Sequence, residues 1–325
     1  MNRWLSLAYK MLRPRTVAMM LMFAAIGDAA TKTSPDFDYR FGLMALLLGC
    51  LFIVATTTND IADEEIDKIN LANDVRRPLA VDSAQTKHLV ILGLVAFFAA
   101  VLLALVIRPW LVIVAVIAAG LSYIYSMPPI KISHRGILAP LLLPINYVVL
   151  PFTVGASIHQ EISTSSKVLL AGLYISFIGR IILKDFRDVK GDKMFGKRTF
   201  IVRYGAANTC RVAAIAWLIG DLIISYVFIR TEPLLVVLLQ PFVVAIFWTL
   251  KRLGNEKALS RQLTLVNLVG RLGNSVAMGV LTVLTLELYD YGILKNSALL
   301  VLVMLVNIYT AYVLFELYMR QRKPQ

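Results

Sequence analysis

The chain has 325 residues, of which 58% are apolar and 16% charged, and carries a formal net charge of +13. Ordinary soluble domains are about 45–50% apolar and about 25% charged, so a single soluble core is excluded. Two cysteines, Cys50 and Cys210, and three scattered histidines exclude a disulfide framework and a four-ligand zinc site.

The first residues lack the long apolar core of a secretory signal. Trp4, Leu7, Ala8 and Met11 instead recur at helical spacing between Arg3, Lys10 and Arg13, the pattern of a helix lying in the membrane interface. A bilayer core of about 30 Å is crossed by about 20 helical residues. Ten apolar stretches meet or approach that length: Arg15–Ala30, Phe41–Ala62, Leu89–Ile107, Trp110–Tyr125, Ile137–Ser157, Val168–Leu183, Val212–Ile229, Pro233–Leu250, Leu263–Leu286 and Ala298–Leu317. Pro140, Pro144 and Pro151 should kink the fifth. The expected fold is all-α, a polytopic integral-membrane bundle of about nine or ten transmembrane helices.

Placing the N-terminus in the cytoplasm puts 25 of the 33 Lys and Arg residues in cytoplasmic segments and six on the opposite side, leaving Arg180 and Arg271 inside spans. That bias predicts both termini on the cytoplasmic side. The basic excess is then topological, and a nucleic-acid partner is not expected.

Function should lie at the cytoplasmic helix ends, where two segments carry the same pattern. Asp-x-x-Asp-x-x-x-Asp-Lys occurs as Asp60, Asp63, Asp67 and Lys68 after the second span and as Asp185, Asp188, Asp192 and Lys193 after the sixth. Each position is offset by 125 residues, and Asn59 of the first copy is matched by Lys184 of the second. This is an internal repeat of a four-helix unit. Carboxylates three and four residues apart share a helical stripe and repel each other. A divalent cation removes that conflict, and carboxylate oxygens suit Mg²⁺, which commonly bridges protein carboxylates to substrate phosphates.

With these motifs the chain resembles the UbiA family of intramembrane prenyltransferases. Asn59-Asp60-x-x-Asp63-x-x-x-Asp67 and Asp185-x-x-Asp188-x-x-x-Asp192 are similar to its two signatures. Glu65 to Asn70 with Arg77-Pro78-Leu79, Tyr125-Ser126-Met127-Pro128-Pro129-Ile130-Lys131, Arg13-Pro14-Arg15-Thr16, and Lys184 to Asp192 with Gly196, Arg198 and Thr199 are similar to its flanking segments. The resemblance covers residues 13 to about 286. It implies one membrane-embedded domain over residues 1–325, with its core at 13–286 and an added C-terminal helix at about 298–317, since the family usually has nine spans. The segment between Asn70 and Arg77 is longer than in the family, and the glycine often found after Arg-Pro-Leu is missing.

The resemblance implies Mg²⁺-dependent transfer of a polyprenyl group from its diphosphate to a lipophilic or aromatic acceptor. Asn59, Asp63 and Asp67 would serve one Mg²⁺, Asp188 and Asp192 a second, with Asp60 and Asp185 in support. Cations must also hold the phosphates. Arg180, Lys184 and Asp188 fall at i, i+4 and i+8 on the sixth span, so they should share a face with the metal site, and an ionisable residue within a span is functional by default. Lys131, Arg76 and Arg77 are loop candidates, whereas Lys193 and Lys197 are equally well explained as topology-setting charges. Tyr125 and Tyr123 could face an allylic cation, or be interface tyrosines; Asn146 could orient an acceptor or satisfy kinked backbone. Asn267, Arg271 and Asn274 share a stripe on the ninth span that suits helix–helix hydrogen bonding, and Asp28 has no assigned role. The segments Glu65–Asn70 and Lys184–Thr199 lean toward an aromatic quinone-precursor ring or a glycerol-phosphate lipid as acceptor. A membrane terpene cyclase is an alternative. A transporter fits less well, because transporter sites lie near the midplane at broken helices.

Overall fold

A backbone that crosses lipid must satisfy its own N–H and C=O groups, and this chain does so with helices. The computed structural model describes residues 3–36, 38–71, 73–159 and 162–322. Helix α1 (Arg3–Leu12) turns Leu7 and Met11 inward, and the Thr56 hydroxyl donates to the Met11 carbonyl at 2.9 Å. Arg13, with φ of 43°, breaks the chain before α2 (Pro14–Ala29). The first repeat continues through α3 (Arg40–Ala62), α4 (Glu64–Asn70), α5 (Thr86–Ile107) and α6 (Leu111–Ser126).

The second repeat begins with α7 (Leu138–Pro144) and α8 (Leu150–Ala156), joined by a wide π turn over Ile145–Val149. Helix α9 (Thr164–Ile181) tightens into a 3-10 segment over Ile182–Phe186. Then come α10 (Val189–Met194), α11 (Phe200–Phe228) and α12 (Pro233–Asn255). Within α11 the backbone breaks at Gly205, whose φ of 79° is easily adopted only without a Cβ. Helices α13 (Leu259–Tyr289) and α14 (Ile293–Arg322) complete the bundle.

Among the described residues, eight helices are long and apolar enough to cross a membrane. The 16-residue helices α2 and α6 match the first and fourth expected spans. The prolines of the fifth span are accommodated by the π turn inside Leu138–Ala156.

The repeat is structural as well as sequential. Gly27 of α2 lies against the Phe152 carbonyl, and Gly155 of α8 lies against the Ala24 carbonyl. Residues 24 and 27 correspond to 152 and 155 by one shared offset, so the contact is reciprocal, as at a two-fold interface. A Cβ at either glycine would overlap the opposite backbone. Small residues play the same part between α9 and α11, where Gly172 and Gly220 meet. Helix α14 packs on α13 and α12 through Leu300, Met304, Ala311 and Tyr318, while Leu302, Val306 and Tyr309 remain exposed.

Replacing Gly155 with Leu should force α2 and α8 apart, at a cost of about 1–3 kcal/mol from overpacking. Gly120→Ala, where nothing lies within 4 Å, should be neutral or slightly stabilising. Thermal unfolding of the detergent-solubilised variants measures both; equal midpoints would contradict the reciprocal packing.

Candidate active site

Both acidic motifs sit where a spanning helix stops and a short helix begins. Asp63 (φ −109°, ψ 15°) ends α3 and Asp188 (φ −103°, ψ 2°) follows the 3-10 end of α9, so the two breaks have the same backbone geometry. Each starts a new turn: Asp67 N–H donates to the Asp63 carbonyl at 2.8 Å, and Asp192 N–H to the Asp188 carbonyl at 3.0 Å. The short helices α4 and α10 then meet. Asn70 donates through Nδ2 to the Asp188 carbonyl at 3.0 Å, and its Oδ1 accepts from Gly191 N–H at 2.7 Å. A Cβ on Gly191 would come within 2.6 Å of the Asn70 amide, so glycine at 191 permits this lock.

Cations hold the gathered carboxylates. Asp60, 1% exposed, pairs with Arg13 at 2.7 Å and with Arg77. Arg77 also lies 2.9 Å from Asp67 and donates to Asn59 Oδ1 at 3.3 Å. Asn59 Nδ2 donates to Asp63 at 3.0 Å. Lys197 Nζ lies 3.3 Å from Asp63 and 3.7 Å from Asp192, so one ammonium bridges the two motifs. Arg187 pairs with Asp188 at 2.9 Å, and Lys184 lies 3.9 Å from Asp185.

The crowding shows in the acid strengths. Burial pushes Asp67 up to about 6 against the pull of Arg77, with Asp60, Asp63 and Asp188 adding to the rise. Burial likewise pushes Asp192 up to about 7 against Lys197, helped by Asp185, Asp188 and Asp63. His134, on the 3-10 turn Ile132–His134, is pushed down to about 4 by burial and by Lys131 and Lys197.

Among the described residues, no three acidic, His or Cys side chains converge as a ready-made metal cage. The donor set nevertheless suits a hard cation. Asp63 Oδ1 and both carboxylate oxygens of Asp192 are buried without a hydrogen-bond partner, a costly state for anionic oxygens. Mg²⁺ typically takes one or two carboxylates and completes its shell with water and phosphate.

Beside the acidic end lies a partly open cavity. Met20, Leu48, Leu51, Phe52, Ala118 and Leu150 form apolar walls, and Arg13, Asn59, Lys184, Tyr125 and Asn146 supply polar atoms. Lys184 Nζ donates to the Tyr125 hydroxyl at 2.9 Å and sits 5.3 Å from the ring centroid. Tyr147 stacks on Phe177 at 5.8 Å and meets Phe52 edge-on at 6.2 Å. Asn146 approaches Ser122 Oγ at 3.5 Å through Nδ2, while its Oδ1 is buried without a partner.

Several expected residues are elsewhere. Arg180 is the main correction: it hydrogen-bonds Asn274 and lines a different cavity. The i, i+4, i+8 reading assumed a continuous α-helix, and the 3-10 segment after Ile181 changes the register between Arg180 and Asp188. Arg76 is engaged with Asp74 at 2.7 Å and is 57% exposed, and Tyr123, also 57% exposed, does not line the cavity. Lys131 is absent from the cavity wall and sits at φ 43° beside His134. Conversely, Lys197, Asn70 and Tyr147 join the site without having been singled out as site residues. Asn70 and Lys197 lay inside or next to the motifs, but each has a partner more than a hundred residues away. Asp28 binds His159 at 2.8 Å, linking α2 to the end of α8.

Among the described residues, a bundle with eight helices long and apolar enough to cross a membrane carries two acidic helix ends beside a largely apolar cavity, the architecture of a polytopic membrane protein. Residues 20–269 match the UbiA prenyltransferase family, and the chain belongs to that family. It is 25% identical over 216 residues to chlorophyll synthase of Arabidopsis thaliana, covering 63% of this chain and 54% of that protein. It is 29% identical over 208 residues to homogentisate phytyltransferase of Synechocystis sp., covering 60% and 65%. It is 26% identical over 209 residues to digeranylgeranylglyceryl phosphate synthase of Methanosphaera stadtmanae, covering 63% and 72%. The chain spans about half the length of the chlorophyll synthases it matches. Its fold is that of a UbiA homolog from Archaeoglobus fulgidus solved with DMAPP and Mg²⁺, with TM-score 0.64, 17% identity and coverage of 85% of this chain and 99% of that one.

Asn70→Ala removes both hydrogen bonds between the short helices. At roughly 0.5–1.5 kcal/mol each, it should destabilise the protein by about 1–3 kcal/mol and lower activity. Thermal unfolding alongside diphosphate release tests this; wild-type values in both would show that the α4–α10 lock is dispensable.

Proposed function

We propose that the protein transfers a polyprenyl group from a polyprenyl diphosphate to an aromatic, quinone-precursor ring, releasing diphosphate. The observation that supports this best is Lys197 bridging Asp63 and Asp192, which makes the two motifs parts of one anion-handling site above an apolar cavity. In this reading Asn59, Asp63 and Asp67 would hold one Mg²⁺, and Asp188 and Asp192 a second, and metal bound there would supply charge neutralisation and Lewis acidity toward a diphosphate head.

The chain's own residues do the rest. Arg77 and Arg13 keep Asp60 paired and so fix the end of α3. Lys197 supplies a positive charge between the motifs, and Lys184 lines the cavity. The prenyl chain lies along Met20, Leu48, Leu51 and Leu150, dry enough to exclude water. The C1–O bond breaks with its electron pair leaving on the diphosphate, and the acceptor ring captures C1 and then sheds its proton. Tyr125, Tyr147 and Phe52 offer π faces to the allylic cation. Asn146, with its unpaired Oδ1 in the cavity, accepts a hydrogen bond from a ring hydroxyl. The lysine and arginine distribution supports a cytoplasm-facing site with cytoplasmic termini.

Asp63→Asn and Asp188→Asn preserve size but weaken a hard-metal ligand, so each should lower the rate by about a hundredfold or more. Both motifs act on one leaving group, so the double variant should lose far less than the product of the single losses. Raising Mg²⁺ should partly restore a single variant. Diphosphate release against Mg²⁺ concentration measures this, and near-normal, metal-independent turnover in either single variant would refute the two-motif mechanism. Mass spectrometry of products from a panel of aromatic acids and glycerol-phosphate lipids tests the acceptor: prenylated lipid with no prenylated ring would refute the aromatic assignment.

A further inference from the structure

Lys197 is held from two sides, and only one of them belongs to the acidic motifs. On the first side, α10 ends in a Schellman turn built on Gly196, whose φ is 66°. Gly196 N–H donates to the Lys193 carbonyl at 3.3 Å, and Lys197 N–H to the Asp192 carbonyl at 2.8 Å. The backbone of Lys197 is thus fixed to the same residue that its ammonium approaches at 3.7 Å.

The second side comes from the connection between α6 and α7. After the 3-10 turn Ile132–His134, Arg135 pairs with Arg198 in a parallel β-bridge. A Cβ on Gly136 would overlap the Arg198 carbonyl oxygen and stand 3.0 Å from the Thr199 carbonyl carbon and 3.1 Å from the Phe200 nitrogen. These are backbone atoms, so no side chain can swing aside to admit a methyl group. The contact begins one residue after Lys197. Tyr125, one residue before the end of α6, accepts from Lys184 Nζ at 2.9 Å. The stretch from Tyr125 to Gly136 therefore reaches Lys184 at one end and the neighbours of Lys197 at the other.

Side-chain chemistry does not favour this joint. Arg135 and Arg198 are both exposed cations, and like charges oppose pairing across a bridge. Ser133 Oγ, His134 Nε2 and Thr199 Oγ1 are buried without a hydrogen-bond partner among the described residues, each at a desolvation cost. A joint shaped for stability alone would satisfy those groups. What the backbone fit achieves is position, because it fixes the chain on the side of Lys197 away from the Schellman turn.

We propose that Gly136 is a positioning residue: its backbone clasp on residues 198–200 holds Lys197 in the gap between the two acidic motifs. Its purpose rests on the proposed function, in which those motifs meet the diphosphate. The clasp itself is measurable without turnover.

The test uses full-length protein in detergent. Lys197 and Lys193 are labelled with acetic anhydride and followed by peptide mass spectrometry, and diphosphate release is measured against prenyl diphosphate concentration in Mg²⁺. Gly136→Ala should open the clasp and label Lys197 severalfold faster relative to the exposed Lys193. It should raise KM for prenyl diphosphate about tenfold, the size of one charge-assisted hydrogen bond, with a smaller change in kcat. Lys197→Gln should raise KM similarly. Adding Gly136→Ala to it should change KM by less than about twofold, since the clasp then has no lysine to place. Arg135→Glu puts opposite charges across the bridge, so it should tighten the clasp and slow Lys197 labelling. It carries the test if Gly136→Ala does not fold. Wild-type labelling of Lys197 in Gly136→Ala, unchanged or faster labelling in Arg135→Glu, or single effects on KM that multiply in the double variant would overturn the proposal. If wild-type protein releases no diphosphate, the proposed function fails, while the labelling rates still decide the clasp.

Discussion

Mutual repulsion among six aspartates governs the acidic end of this molecule. Asp60, Asp63 and Asp67 come from one helix end, and Asp185, Asp188 and Asp192 from another. In a partly buried setting, unscreened like charges at such spacing would drive the two ends apart. The structure answers with cations: Arg13 and Arg77 on Asp60, Lys197 between Asp63 and Asp192, Arg187 on Asp188. Compensation is incomplete, as the elevated Asp67 and Asp192 pKa values and the unpartnered oxygens of Asp63 and Asp192 show. An end left electrostatically unfinished in this way supports the proposed metal and diphosphate site.

The remainder of the fold holds that end together. Reciprocal glycine contacts between α2 and α8 bring the two repeats to the distance at which α4 and α10 can meet. Asn70 then spans from one short helix to the other. Beneath them, residues of α2, α3, α6 and the α7–α8 span wall the main cavity, so the packing that joins the repeats also shapes the space for an apolar chain.

Much of this was legible in the sequence because it is local. Apolar stretches predicted ten helices near their observed places, and the 125-residue repeat marked two matching helix ends, although the continuous helical stripe expected for each set of carboxylates is broken at Asp63 and at Asp188, with the same geometry in both. What the sequence concealed depends on register and distance. Arg180 seemed aligned with Asp188 because a regular α-helix was assumed; the 3-10 segment at Ile182–Phe186 removed that alignment. Lys197 resembled any loop lysine until tertiary packing set it between Asp63 and Asp192. Arg76 and Arg77 are neighbours in sequence, yet a turn sends one to Asp74 at the surface and the other to buried Asp60. Tyr123 and Tyr125 likewise face opposite ways, and only Tyr125 meets Lys184.

In the proposed function, metal turns a crowd of carboxylates into a diphosphate receptor. Isothermal titration calorimetry of the full-length protein with a non-ionising prenyl thiodiphosphate, in Mg²⁺ and in EDTA, tests it without relying on turnover or on any acceptor. Saturable binding is expected in Mg²⁺ and none detectable in EDTA, because without metal the anionic head meets the acidic end directly. Equal affinity in the two buffers would contradict it, and would mean that Lys197, Lys184 and the arginines alone hold the substrate.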